Sequence, residues 1–530
     1  MAFNARESNP AAILLFGVIF AGLIGALLLG QSVAQGQMLQ IAVLGASAVG
    51  ITICLALGKN IWMLIPLCWL LTGRISILPL PLSVRDMGVL AAFGMFVIFY
   101  VFKKIPRFAP LNRFDLLLIL NLAYLVTVYA RNPVGVQAMG SAMVGGRPYA
   151  DIVIAVMAFW VLQHVNLSIK EARFFPLLMA VGSLIVGGLG VLTQFFPATV
   201  PLIAPFYSGI SVESYLDQQT GATSSGYRIG PLSILSLTLA GVLAAYFRPV
   251  TLLLFTKPLW SLLFYAACIA GLLSGFRSGL VYLGVILALS SYFYGGLKDL
   301  VAILMSLVLG VTGMIALQSS GIPVHPAAQR ALSFIPGPWD SDIVSSAESS
   351  TDWRVEMWKI ALEGEHYIKN KLLGDGFGFS AYELQIQMQA AWGGLGYIGA
   401  NLTEAQLVTG AYHSGPISAI RYAGIAGLIF FTVLIVASAV YAWRTILLSK
   451  GTPFFAPALF IGIPVIYKPI EYWLVFGGFD SDMPKAIFGL ACVNLVARAI
   501  SEYRTVNQSI GQERGVFQPR TFLQVGGPAR

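Results

Sequence analysis

The residue best placed to do chemistry is a histidine at the edge of an apolar block. His413 stands in Ala411-Tyr412-His413-Ser414-Gly415-Pro416, where the chain passes from a polar stretch into a long apolar run. A histidine at such a boundary can be neutral near pH 7 and take a proton as general base; the competing reading is a satisfied structural residue. His164, His325 and His366 show no zinc-like spacing to it or to each other, so no metal site is expected. Cations gather at the same kind of boundary. Arg277 opens an apolar run, Arg421 follows His413 by eight residues, Arg228 and Lys468 border other runs, and Arg354 lies in the longest polar stretch. Asp86 offers Arg85 a partner, and Glu471 lies one helical turn from Lys468. Arg277 and Arg421 have no acidic neighbour at good spacing, and Arg354 has only Asp352 and Glu356. Cations at a membrane edge are costly unless paired or used. The guanidinium fork suits phosphate oxygens. An anionic headgroup is therefore expected here, and a lipid diphosphate fits best, with its tail in the bilayer. Snorkelling of the same arginines to lipid headgroups is the alternative.

The elements that must position these residues follow from composition. The 530 residues are 57% hydrophobic and 10% charged, against roughly a quarter charged in ordinary soluble domains. The mean hydropathy is +0.79. A soluble enzyme, a disordered chain and a disulfide scaffold are excluded. Apolar blocks of about 17–25 residues have the length of membrane-crossing helices. The sequence predicts an all-α polytopic membrane protein with about 12–14 transmembrane helices and a large, partly helical periplasmic loop. Candidate spans are 11–30, 38–57, 61–73, 84–102, 115–130, 150–165, 174–195, 230–247, 258–274, 278–294, 299–317, 416–441, 453–472 and 484–500. The organisation reads as spans 1–11 over 1–317 (with a periplasmic loop at 196–229), the large loop 318–415, spans 12–14 over 416–500, and a disordered cytoplasmic tail 501–530. Lys and Arg in alternate short loops place both termini in the cytoplasm and His413 outside it. The net charge of +9 is spread along the chain and caps apolar blocks, so nucleic acid is not an expected partner. Cys54, Cys68, Cys268 and Cys492 lie inside apolar blocks without CxxC spacing and say nothing of redox compartment.

Two features mark the large loop. Residues 351–369 predict an amphipathic helix capped by Ser350 or Thr351, with Arg354, Trp358 and Ala361 on one face. Then Gly374, Gly376 and Gly378 alternate in Leu372-Leu373-Gly374-Asp375-Gly376-Phe377-Gly378-Phe379. No strand precedes them, so a nucleotide loop is excluded. A tight turn into a helix near 380–391, or a backbone facing a glycan or phosphate, remain as readings.

In order along the chain, Ser274-Gly275-Phe276-Arg277-Ser278-Gly279-Leu280, then Arg354-x3-Trp358 with Leu373-Gly374-Asp375-Gly376-Phe377-Gly378, then His413-Ser414 resemble motifs of the O-antigen ligase and Wzy-type polymerase superfamily. The match covers roughly 230–440; the N-terminal half agrees only in hydropathy. The resemblance implies a GT-C-like inner-membrane glycosyltransferase that needs no metal and no other cofactor. Its donor is an undecaprenyl-diphosphate-linked oligosaccharide. Its acceptor is a sugar hydroxyl on a lipid-linked repeat (polymerase, slightly favoured) or on lipid A–core (ligase). A chain-length regulator is a further partner left open. By the same resemblance Arg277 and Arg354 stabilise the leaving diphosphate, with Arg421, Lys468 and Arg228 as further cations. His413 either takes the acceptor proton, with inversion, or only orients the acceptor. Trp358, Gly374, Gly376, Gly378 and Tyr412 are the expected glycan-facing residues. The reading from another class is a lipid-linked glycan flippase or transporter. The absence of internal repeats and the hundred-residue loop weigh against it.

Overall fold

The computed structural model describes residues 45, 50, 52–75, 82–104, 108–135, 143–210, 228–364, 366–380, 382–386 and 402–513. The expected span 11–30, most of 38–57, and residues 211–227, 387–401 and 514–530 lie outside the described residues. The protein is all-helical, 77% helix with no strand among the described residues. The longer helices, in chain order, are α1 (Thr52–Cys68), α2 (Val84–Val101), α3 (Arg113–Arg131), α4 (Arg147–Gln163), α5 (Ile169–Phe195), α6 (Pro231–Tyr246), α7 (Pro258–Leu273), α8 (Arg277–Gly295), α9 (Leu297–Ser319), α10 (Pro326–Leu332), α11 (Ser341–Glu363), α12 (Leu402–Thr409), α13 (Gly415–Ser449), α14 (Phe455–Ile470) and α15 (Phe479–Glu513). Eight of these are long and apolar enough to cross a membrane, and α1, α6 and α7 are shorter apolar helices. This is a polytopic membrane protein. Helix α4 takes the place of the expected span 150–165, but at 17 residues it is shorter than the eight and stands outside that set.

Helices start where side chains satisfy the free N–H groups of a first turn. Ser83 and Asp86, Asn112 and Asp115, and Ser168 and Glu171 form reciprocal capping boxes on α2, α3 and α5. The bundle packs α13 against α14, α15 and α3, α15 against α4, and α6 against α5, α7 and α8. Buried polar groups find partners between helices. Asn112 donates to Asn494, which donates to Asp115, and Arg498 caps the end of α4 through the carbonyls of Leu162 and Gln163 at 2.7 Å. At the other ends of α2 and α4, Arg85 and Arg147 form a neutral cluster with Asp86 and Asp151. The expected Arg85–Asp86 pair is half of it.

The tail from 501 is a correction: α15 continues as helix to Glu513. A membrane helix is already nucleated, so adding polar turns costs little. Arg504 further ties the extension to the carbonyl of Leu448 at 2.6 Å.

Helix α13 is broken at Gly424, which has φ 72° and ψ 178°. A break inside a membrane helix frees N–H and C=O groups that must be paired by protein. The glycine-rich segment supplies those partners. Ile425 and Ala426 donate to the carbonyls of Lys371 and Leu372, and Asp375 and Gly376 donate to those of Arg421 and Tyr422. Tyr124 Oη donates to the carbonyl of Ala423 at 2.6 Å. Such an approach needs glycine on both sides. A Cβ on Gly374 would lie 2.5 Å from the Ala423 backbone, and one on Gly424 2.3 Å from the Leu372 oxygen. Gly374 also has φ 79°. Gly374→Val is expected to cost more than about 3 kcal/mol, through overlap and strain together. A thermal melt in detergent unchanged from wild type would show the splice to be dispensable.

Candidate functional site

The large loop builds a small core of its own. Met357, Ala361, Ile368, Leu407 and Tyr412 are buried together, with Trp353, Trp358, Ile417 and Ile420 packed around them. This core clamps α11 and α12 onto the start of α13. Helix α11 begins ten residues before its expected cap, because Asp340 accepts from the Asp342 N–H; it ends at Glu363, short of the expected 369, with Gly364 as its C-cap. Residues 341–351 are themselves weak helix formers, so the Asp340 cap and the burial of Ile343 and Ala347 carry the added turns.

On α11, Ala347, Thr351 and Arg354 share a face at i, i+4 and i+7. Arg277, the first residue of α8, donates from Nη2 to the Ala347 carbonyl at 2.9 Å and to Thr351 Oγ1 at 3.2 Å. The turn that presents it needs Gly275 at φ 73°. Arg330, on α10, donates from Nη1 to Ser346 Oγ at 2.8 Å and is buried at 6% exposure. Arg228, just before α6, lies over the Phe276 ring at 5.4 Å. These four arginines act on one another. Burial, then the charges of Arg228, Arg277 and Arg354, push the Arg330 guanidinium down to about 10. Burial, then Arg277 and Arg228, lower that of Arg354. Among the described residues, Arg277, Arg330 and Arg354 form no ion pair with a carboxylate.

His413 joins this cluster. It precedes α13 with φ 52°, an uncommon conformation for a side-chain-bearing residue. Trp358 Nε1 donates to the carbonyl of Tyr412 at 2.7 Å, and Tyr412 Oη donates to that of Leu407 at 3.1 Å, so the backbone is gripped just before the histidine. The imidazole lies between Phe476, ring centroids 5.3 Å apart, and Trp353, 6.2 Å apart. Burial and then the Arg354 charge lower its pKa from the ordinary 6.5. The ring is therefore neutral at pH 7, the form that accepts a proton. Among the described residues, no group of three or more His, Cys, Asp or Glu is placed to hold a metal ion.

The structure thus brings Arg228, Arg277, Arg354 and His413 together and leaves two expected cations out. Arg421 Nη1 donates to Asp375 at 2.6 Å and Nη2 to Glu383 at 3.5 Å. Lys468 is bonded to Glu471 and to Asp482, the latter at 3.2 Å. Each is neutralised by two carboxylates, so neither adds charge to the cluster; Asp375, Glu383 and Asp482 are too distant in sequence to show as partners. The glycan-facing set is also corrected. Tyr412 is fully buried, Trp358 is half-buried and donates to the Tyr412 carbonyl, and the three glycines are buried, Gly374 against α13, Gly376 against Asn132 and Tyr149, and Gly378 against Val134 and Met143. Their glycines serve close packing. Arg330 was not anticipated; the one signal for it is a lone cation, without acidic neighbours, in the apolar Pro326–Leu332 helix.

Elsewhere the bundle holds a cavity of about 620 Å³, lined by Ile234 and Leu237 of α6, Tyr282 and Ile286 of α8, and residues of α5, α13, α14 and α15; Lys468 and Lys485 are among them, and none of the clustered arginines is. The chain matches no family model, and no curated protein matches it.

Proposed function

We propose that this protein is a membrane glycosyltransferase of the O-antigen ligase superfamily. It moves a glycan from undecaprenyl diphosphate to a sugar hydroxyl on the periplasmic face of the bacterial inner membrane, and we assign it as a polysaccharide polymerase. One observation carries the reading: four mutually repelling arginines, three of them without a carboxylate, gathered beside a neutral histidine. Such a cluster stores electrostatic strain that a polyanion relieves. In the reaction, His413 takes the acceptor hydroxyl proton as that oxygen attacks the anomeric carbon. The bond from that carbon to the diphosphate oxygen breaks, and the configuration inverts. Charge grows on the leaving diphosphate, where preorganised guanidinium groups in a water-poor site stabilise it. No nucleotide is required, because the glycosyl–diphosphate bond supplies the driving force.

The broken α13 resembles the discontinuous helices that bind cargo in transporters. Its freed backbone groups are taken by the segment 371–376, however, and face no ligand space. That favours transfer over transport. A ligase would use the same site with a different acceptor. The deciding experiment gives purified protein a defined undecaprenyl-diphosphate oligosaccharide with and without lipid A–core. A ladder of lipid-linked products is expected. Label on the core alone makes it a ligase, and neither product removes the glycosyltransferase reading.

A further inference from the structure

Arg330 is the most constrained member of the cluster. It is nine-tenths buried, and its side chain makes a single hydrogen bond among the described residues, to Ser346. A guanidinium carries five N–H donors, so four are left without a protein acceptor. The next residue of α11, Ala347, accepts from Arg277. Consecutive positions of one helix therefore hold two arginines side by side, both without carboxylates. A structural arginine this buried is ordinarily paired, because an unpaired buried charge is among the costliest features a fold can carry. Here the surroundings add three like charges instead.

The number of cations bears on which anion is taken. A phosphate monoester carries about 1.5–2 negative charges on one phosphorus. A diphosphate spreads its charge over two phosphorus centres and offers acceptors to two guanidinium pairs at once. Arg277, Arg354 and Arg228 alone would already serve a single phosphate group.

We propose that Arg330 is a specificity-determining residue that sets the preference of this arginine cluster for diphosphates over monophosphates. The proposal rests on the glycosyl-transfer reading only for the identity of the carrier; the charge selectivity is a property of the cluster. Arg330 also acts after transfer, since the freed lipid diphosphate carries more charge than the glycosylated donor, and the cluster holds that product more tightly than the donor.

The test uses full-length protein in nanodiscs, with inorganic pyrophosphate and orthophosphate as probes, and undecaprenyl diphosphate and undecaprenyl phosphate to separate a lipid headgroup from a free anion. Wild type is expected to bind each diphosphate at least about tenfold more tightly than the matching monophosphate. Arg330→Gln should reduce that ratio to about threefold or less, and Arg330→Lys, which keeps the charge but not the fork, should fall between. A second readout separates ligand recognition from a structural role. Losing one of four repelling cations should leave the ligand-free melting temperature equal to or above wild type, while the rise on adding pyrophosphate disappears. A fall in ligand-free melting temperature for both variants, an unchanged selectivity ratio in Arg330→Gln, or equal binding of both anions by wild type overturns the proposal. Diphosphate selectivity without glycan transfer sinks the enzyme reading alone; transfer with unaltered selectivity in Arg330→Gln sinks this proposal alone.

Discussion

His413→Ala is expected to lower the proposed glycan transfer by about 10²–10⁴-fold, the usual cost of removing a positioned general base, and to leave the protein folded. The second half of that expectation comes from the local structure. The grip on this segment is made by backbone and by neighbours: Trp358 holds the Tyr412 carbonyl, Tyr412 is buried, and α13 begins at Gly415. The imidazole itself contributes ring contacts with Phe476 and Trp353 and, among the described residues, no hydrogen bond. Removing it trims an edge of the site without touching what holds the edge in place. His413→Gln refines the test, because glutamine can orient a hydroxyl but cannot take its proton at neutral pH. Single-turnover transfer from a labelled lipid-linked donor, in protein whose melting temperature matches wild type, is the measurement. If the glutamine variant keeps rates within about tenfold, His413 orients the acceptor and the base lies elsewhere.

The same ring gives the reaction a pH signature. A base works only when unprotonated, so kcat/KM falls as pH drops through the free-enzyme pKa of His413. Burial and Arg354 both hold that value below 6.5, so activity persists to lower pH than an exposed histidine allows. Replacing Arg354 by glutamine removes a positive charge that opposes protonation. The histidine pKa rises, and the acidic limb of the profile moves to higher pH, on top of a lower maximum from weaker diphosphate binding. A limb that stays in place shows that the two residues are not electrostatically coupled.

The parts of this site visible in the sequence share one property: the signal is local. Arg277 opens an apolar run, His413 closes a polar one, and Arg354 sits among helix-forming residues, so membrane boundaries alone point to them. What escaped notice depends on contacts across the chain. Arg421 reads as a free cation because its partners, Asp375 and Glu383, lie 46 and 38 residues away. The glycines at 374–378 read as a tight turn or a ligand-facing loop, since nothing local announces that α13 breaks at Gly424 to receive the segment. Arg330 carries no sequence signal beyond the lack of an acidic neighbour, and only the folded chain says which charges surround it. The helices themselves were legible because a bilayer leaves so few ways to satisfy a backbone.

Arg277→Ala is expected to reduce single-turnover transfer by about 10²–10³-fold, in the range seen when one donor to a developing oxyanion is removed. Arg277 has two tasks that must be separated. Its Nη2 ties the start of α8 to Ala347 and Thr351 of α11, and its charge belongs to the cluster that acts on Arg330 and Arg354. If the tie dominates, the alanine variant melts lower, and a variant that restores a donor without charge, Arg277→Gln, recovers both stability and rate. If the charge dominates, Arg277→Gln restores stability but not rate, while Arg277→Lys recovers part of the rate, because the charge is present but the fork is lost. The second pattern is expected. Three observations favour it: the tie runs to neutral acceptors, the helix it caps is held independently by α6 and α7, and like-charge repulsion in the ligand-free protein makes the cation a burden to stability. A fold that keeps an arginine without a carboxylate in this place gains from it when an anion arrives, and leaving-group charge grows from the bound donor to the transition state.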